Sequence, residues 1–245
     1  MDTSNAANEG ADSYVAWKGW GADFGVMARG DAAHFTRELR DVVKGTTEMR
    51  VLEVGYGNGA FLAYARSKGW QVTGTELQPE LVDLATDADF DARPAAELAS
   101  LPDGQFDVIV AFDVFEHIDP ESSIEFLREL AKKLAHGGGI VLRFPNADSW
   151  IGNPFQYGDV THVNAIGVIK MGYYAGESGL SVEGFRAETR RGFEVSAKRG
   201  LHKYTAGVLI KIIAAVSKAL YFPDVPVVLS GPNVVCVLRH APAGN

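Results

Sequence analysis

The sequence predicts an α/β fold built on a mostly parallel sheet with helices on both faces. Three observations carry this. Strand-like and helix-like segments alternate from residue 50 to residue 144. The strands read as unbroken apolar runs, as in Asp-Val-Ile-Val-Ala-Phe at 107–112, which suits strands buried on both faces. The first strand, Val-Leu-Glu-Val, breaks at Gly55 into a turn with further glycines at 57 and 59, and a helical pattern follows at once.

Composition sets the limits. The chain has 245 residues, 47% of them hydrophobic, enough for a single domain with a sizeable core. A formal charge of −8 argues against a nucleic-acid partner. One cysteine, Cys236, excludes a disulfide framework and a Cys-rich zinc site. Residues 1–10 lack the apolar core of a secretory signal, and no charge-free apolar run is long enough to span a bilayer, so a cytoplasmic protein is expected.

Residues 1–12 read as a disordered tail, and 13–245 as one domain. Its first part, 13–45, is an aromatic arm: Tyr14, Trp17, Trp20 and Phe24 between glycines either cover a pocket as a lid or pack onto the core. A helix is expected over 31–43 with Asp31 as N-cap. Then come a strand at 50–54, a helix at 60–67, a strand at 70–75, a helix at 79–85 with Pro79 in its first turn, a short strand near 89–92 and a strand at 106–112. A helix at 121–135 has Ile124, Leu127, Leu130 and Leu134 on one face and the glycines 137–139 as its stop, before a strand at 140–144. An irregular loop, 145–164, is long enough to be functional. A helix at 165–178, a strand at 180–187 and a final strand at 233–239 complete the chain. Between the last two strands lies a basic amphipathic helix, 195–222, with Lys198, Arg199, Lys203, Lys211 and Lys218 and no acid, leaving −13 of the total −8 to the rest of the chain. Such a helix meets an anionic membrane, a second subunit or its own core, so peripheral membrane attachment and homo-oligomerisation both stand as expectations.

The glycine turn reads as a nucleotide-type cofactor site, because glycines let a ligand press against the main chain and the helix N-terminus presents free N–H groups. A dinucleotide fingerprint would place its third glycine at position 60 rather than 59, and a phosphate loop would end in Gly-Lys-Ser/Thr. Glu53 precedes the turn instead. A carboxylate there repels phosphate and accepts hydrogen bonds from an ammonium, which suits S-adenosylmethionine. Glu76, ending the second strand, stands where an acid can bind ribose hydroxyls.

This constellation resembles the class I S-adenosylmethionine-dependent methyltransferases over residues 50–145. The segment 51–59 matches the family's first motif and Glu76 its ribose-binding acid, with Leu77 beside it; 100–107 resembles the approach to its fourth strand. The resemblance implies a Rossmann-like sheet of seven strands, the last antiparallel. It also implies cofactor contacts from Glu53, Gly55, Gly57, Gly59, Glu76, Leu77 and Asp113, and an adenine contact at Ala96. The family often carries aspartate where Ala95 stands, which leaves adenine to the backbone or a neighbour.

Strand four ends Asp113-Val-Phe-Glu116-His117, at the sheet edge where ligands bind. On a helical turn Asp113, Glu116 and His117 share a side, and His162 in the long loop is expected to open at the same edge. Together they form a candidate shell for Mg2+ or another divalent cation. The Asp-x-x-Glu-His pattern with a later His resembles metal-assisted O-methyltransferases acting on ubiquinone precursors or on RNA ends, which tend to have Glu at the Asp113 position. His162, His117 and Asp113 are the candidate catalytic residues, either histidine serving as general base if no metal binds. The loop, with Asn146, Asp148, Asn153, Gln156 and Asp159, also resembles a polysaccharide-associated subset. A sugar hydroxyl, on a glycan or its precursor, is therefore the first expected acceptor. A quinol, lipid or other small aromatic molecule is the alternative, and a non-enzymatic cofactor-binding scaffold the third reading.

Overall fold

The computed structural model describes residues 19–20, 23–43, 45 and 48–242. The expected tail at 1–12, and Tyr14 and Trp17 of the arm, lie outside the described residues.

The strands are β1 (Arg50–Val54), β2 (Gln71–Glu76), β3 (Asp91–Pro94), β4 (Phe106–Phe112), β5 (Leu134–Pro145), β6 (Leu180–Ala187) and β7 (Asn233–His240). The helices are α1 (Asp31–Glu38), α2 (Ala60–Ser67), α3 (Pro79–Asp87), α4 (Ser123–Lys133), α5 (Asn153–Gln156), α6 (Val168–Glu177) and α7 (Ala197–Tyr221). One seven-stranded sheet runs in the order β3-β2-β1-β4-β5-β7-β6. All pairs from β3 to β5 are parallel. The last strand, β7, is antiparallel to both β5 and β6, as the family pattern implies. The C-terminal ends of β1, β2, β4 and β5 therefore share one edge, and the order reverses between β1 and β4, which opens a crevice there.

Alternate residues of the central strands feed opposite cores. Leu52, Ile109, Ala111, Ile140 and Leu142 pack with Leu127 and Leu130 of α4 and Met171 of α6. Val51, Val108, Val110 and Val141 pack with Phe35 of α1 and Phe61 and Tyr64 of α2. Burial on both faces explains why these strands read as unbroken apolar runs.

Several boundaries differ from expectation, most of all the end of α1, which stops at Glu38 rather than 43, and three more show a clear cause. Gly30, at φ 93°, is the N-cap of α1; Asp31 is the first helical residue, and its Oδ2 accepts the Ala28 N–H at 2.7 Å. The short strand starts at Asp91, not 89, because Asp89 takes φ 57° to close α3. The glycines expected to end the helix before β5 lie inside β5 instead. A Cβ on Gly138 would sit 2.8 Å from the Asp107 carbonyl oxygen, so glycine is needed there for strand approach. The end of α4 is fixed by buried Lys133, whose Nζ donates to the carbonyls of Ala99 at 2.8 Å and Leu101 at 2.7 Å.

The basic helix is α7, inserted between β6 and β7 as expected. The expectation that no segment reaches membrane-spanning proportions needs correction: among the described residues α7 is long and apolar enough for it. Counting charge-free runs missed this because its lysines are spread thinly along 25 residues. Within α7 only Gly200 and Gly207 are buried.

Candidate active site

The cofactor half of the site is assembled from the ends of β1 and β2. The Gly55 N–H donates to the Thr75 carbonyl at 2.8 Å, and the Gly57 N–H to Glu76 Oε2 at 2.9 Å. Glu76 Oε1 accepts the N–H groups of Leu77 at 2.7 Å and Gln78 at 3.2 Å. Gly59 is the N-cap of α2 at φ 72°, and the Phe24 ring occupies the space a Cβ would need, at 2.6 Å. The Trp20 ring lies over Gly57 in the same way, at 3.1 Å. These two rings of the arm thus cover the turn. Leu77 and Ala96 lie just beyond Glu76 and Pro94, which pair across β2 and β3, and both are exposed at that edge.

Glu53 is buried at 3% exposure, and its Oε2 has no hydrogen-bond partner. Burial pushes its carboxyl well above the usual carboxylate range, the neighbouring Glu76 adds to this, and Arg143 opposes it. A buried carboxylate with a vacant acceptor atom beside three glycines and a helix N-terminus fits a cationic, nucleoside-bearing ligand: ammonium toward Glu53, ribose toward Glu76.

The other half follows β4. A 3-10 turn, Phe115–His117, carries Glu116 and His117 away from the strand. The Glu116 carbonyl accepts the N–H groups of both Val163 and Asn164 at 3.0 Å, which stitches the long loop onto this turn. His117 Nδ1 lies 3.1 Å from the Thr161 carbonyl. The loop thereby delivers His162: its Nε2 is 4.0 Å from Glu116 Oε1 and 3.7 Å from Asp159 Oδ2, and its ring meets that of His117 edge-on, centroids 4.7 Å apart. One ligand atom from each of Glu116, His117 and His162 lies within 4.8 Å of the others. His162 Nδ1 is buried without a hydrogen-bond partner. Two imidazoles and a carboxylate at this spacing, with one orphaned nitrogen, are a donor set that fits a divalent cation.

Asp113, expected as a fourth ligand and a catalytic residue, stands outside this group. It takes φ 58°, and Arg143 forks onto its carboxylate, Nε to Oδ1 at 3.0 Å and Nη2 to Oδ2. The expected helical turn, which would have aligned Asp113 with Glu116, starts only at Phe115.

Arg143 is the residue that sequence reading passed over, and a lone cation in the apolar run Ile-Val-Leu-Arg-Phe was its signal. It lies over the Phe112 ring and 3.8 Å from Glu188, which also meets buried His34 at 3.2 Å and the Asn233 amide at 2.9 Å. Burial alone would raise the Glu188 pKa; the His34 contact and the Arg143 charge hold it at about 2.

Comparison with known proteins assigns the chain. The family described as "Methyltransferase domain" matches residues 28–196. A ubiquinone biosynthesis O-methyltransferase of Bordetella bronchiseptica is 28% identical over 162 residues, 62% of this chain and 65% of that protein. The Xanthomonas oryzae pv. oryzae protein of the same name is 32% identical over 101 residues, 38% of this chain and 41% of that one. The chain thus spans less than two thirds of the length of either relative. A solved SAM-dependent methyltransferase from Archaeoglobus fulgidus superposes with a TM-score of 0.61 at 20% identity, covering 86% of this chain and 94% of that one, a likeness of fold. With a family match over most of its length, the Rossmann-like seven-stranded sheet and a glycine turn flanked by Glu53 and Glu76, this chain belongs to the S-adenosylmethionine-dependent methyltransferases.

Proposed function

We propose that the protein methylates a hydroxyl of a quinol-type aromatic acceptor, with Glu116, His117 and His162 at the reacting oxygen and a divalent cation held by those three residues. The observation that carries this reading over a sugar acceptor is how the 145–164 loop spends its side chains. Three of its polar side chains are committed to holding the loop. Asn146 donates to the carbonyls of Val228 and Gly231 at 2.6 and 3.1 Å, Asp148 accepts the Val168 N–H at 2.9 Å, and Asp159 accepts from Thr161 at 2.6 Å. Gln156 is buried. What the loop leaves outside, besides Asn153 and Thr161, is a large apolar set: Trp150, Phe155, Tyr157, Val160 and Val163 are 50–97% exposed. A polyol site needs the reverse, and an exposed apolar set of this kind suits an aromatic or lipid-tailed molecule. The relatives named for ubiquinone biosynthesis support the same class.

Bound S-adenosylmethionine supplies a methyl group on a positively charged sulfur, and a bound divalent cation would lower the pKa of the acceptor hydroxyl. The chain's own residues do the rest. Glu53 and Glu76 fix the donor from opposite sides of the glycine turn. The 3-10 turn and the loop set the acceptor oxygen against it, an alignment that can contribute on the order of 7–11 kcal/mol. As the oxygen–carbon bond forms and the carbon–sulfur bond breaks, the hydroxyl proton must leave. With a cation held by Glu116, His117 and His162, the hydroxyl's lowered pKa would let its proton pass to solvent before transfer; without a cation His162, backed by Asp159 at 3.7 Å, is the base placed to receive it.

An acceptor panel tests the reading: catechols, quinols and free or nucleotide-linked sugars, each incubated with isotopically labelled S-adenosylmethionine and assayed for labelled methyl ether by mass spectrometry. Label in phenolic ethers is expected. Label confined to sugars overturns the proposal, and no label with any acceptor favours the scaffold reading.

A further inference from the structure

We infer that α7 and the basic cleft beside it form a docking surface for an anionic phospholipid bilayer. The inference is independent of which acceptor is methylated.

The helix is mounted inside out. Toward its own domain it turns Gly200 and Gly207, its only buried residues. Phe193 lies against Gly200 so closely that a Cβ there would sit 2.1 Å from its Cδ1, and Phe193 also meets the Tyr204 ring at 5.8 Å. Toward solvent it turns Leu201, Tyr204, Val208, Ile212, Val216 and Leu220, each 51–70% exposed. A stripe of this length left to water needs something apolar to cover it.

Charge decides between a bilayer and a second copy of the chain. Residues 195–222 hold five cations and no acid. Under the first turns of α7 an open cleft of about 330 Å3 is lined by Arg190, Arg191, Arg199, His202 and Lys203 with Glu188 and Thr189. Glu188 is engaged by His34, Arg143 and Asn233, and Arg191 by Asp31 at 2.8 Å. Arg190 Nη1 is buried without a hydrogen-bond partner. Among the described residues no salt bridge joins a carboxylate to Arg190, Arg199 or Lys203, and Glu194, which lies near Lys203, is paired with Arg37. Two copies meeting through α7 would bring these cations toward each other, whereas a lipid surface supplies phosphates for the cleft and hydrocarbon for the stripe.

The helix lies on the membrane and does not cross it. At 25 residues it is about 37 Å long. Its entry strand and exit strand are neighbours, with Ala187 opposite Val234. After Tyr221 the chain is tied to the domain again at Val228 and Leu229, whose carbonyls accept from Asn146 and Ser149 at 2.6 and 2.9 Å. The seven steps from Tyr221 to Val228 reach at most about 25 Å, short of the roughly 30 Å hydrocarbon core the chain would have to recross.

Flotation of the full chain with vesicles tests the proposal, using phosphatidylcholine alone and phosphatidylcholine mixed with phosphatidylglycerol. Binding to the mixed vesicles and little to the neutral ones is expected. Arg199→Gln combined with Lys203→Gln should weaken binding by about thirtyfold, and Val208→Asp combined with Ile212→Asp by on the order of a hundredfold. Unchanged circular dichroism and cofactor affinity would show that the variants fold. Failure to float with either vesicle overturns the inference. So does a dimer in sedimentation equilibrium that the Val208→Asp, Ile212→Asp variant dissolves, since the occupant is then a second copy. Saturable calorimetric binding of inorganic phosphate without vesicles, lost in the Arg199→Gln, Lys203→Gln variant, would assign the cleft to a free anion and overturn the headgroup site.

Discussion

Among single residues, a few buried ionisable groups set the chemistry of the site. Glu53 is held neutral-prone by burial and by Glu76, and its Oε2 lacks a partner until a cationic ligand arrives. Because its folded pKa is raised, its ionised form costs stability as pH rises through that value. Glu53→Gln should therefore leave the ligand-free protein no less stable at neutral pH, while S-adenosylmethionine affinity falls by roughly 10–100-fold, the worth of a charge-assisted hydrogen bond. At a pH where Glu53 is still protonated in the ligand-free protein, cofactor binding should release a proton, seen in calorimetry as a heat that varies with the buffer's ionisation enthalpy; a buffer-independent heat across the acidic-to-neutral range would refute this linkage. Glu53, Glu76, Glu116 and His117 stood out in sequence because each sits at or just past a strand end, where few packing reasons compete; His162 stood out only as a histidine in the long loop after β5. Asp113 was misread. Its left-handed backbone and its bond to Arg143, thirty residues away, are tertiary facts with no local signature.

At the scale of elements, two joints hold the site. The first is the turn from β1 to α2. Gly59→Ala would force a side chain into φ 72° and into the Phe24 ring. A destabilisation of about 2 kcal/mol or more is expected in denaturant titrations, with weaker cofactor binding, if the arm rests on this turn. The second joint ties α1 to β4, β5 and the residue after β6 through His34, Asp113, Arg143 and Glu188. With its pKa depressed to about 2, Glu188 contributes stability that is present above its unfolded value and lost as pH falls toward 2. That contribution is on the order of 3 kcal/mol. The gap in stability between the native protein and Glu188→Gln, measured by denaturation, should therefore be largest near neutrality and close with acid; a gap independent of pH would refute the pairing. Elements with strong periodicity, such as β1, β4 and α4, were readable from sequence within a residue or two. The start of β5 was not, because the glycines at 137–139 signal a helix stop locally and serve strand packing globally.

At the scale of the whole molecule, the sheet order brings together chain segments far apart in sequence. The crevice between β1 and β4 sets the glycine turn beside the 3-10 turn of Glu116 and His117, and the loop after β5 closes the site with His162. The same loop is tied at Asn146 and Ser149 to residues 228–231, where the chain returns from α7. An apolar acceptor carried in a membrane would thus be met by one continuous stretch of structure. The outward face of α7 could not be read from its amphipathic pattern, because the pattern gives a stripe but not the side on which the domain lies. The central claim is that Glu116, His117 and His162 form the reacting centre for a phenolic hydroxyl. Its most direct test is kcat/KM for methylation of a catechol by native protein, by metal-chelated protein with and without restored Mg2+, and by Glu116→Gln and His162→Ala. A fall of about 10²–10⁴-fold is expected on chelation and in both variants, with recovery of the chelated native protein on adding metal and cofactor affinity unchanged throughout. Full activity in the chelated protein and in both variants would contradict it.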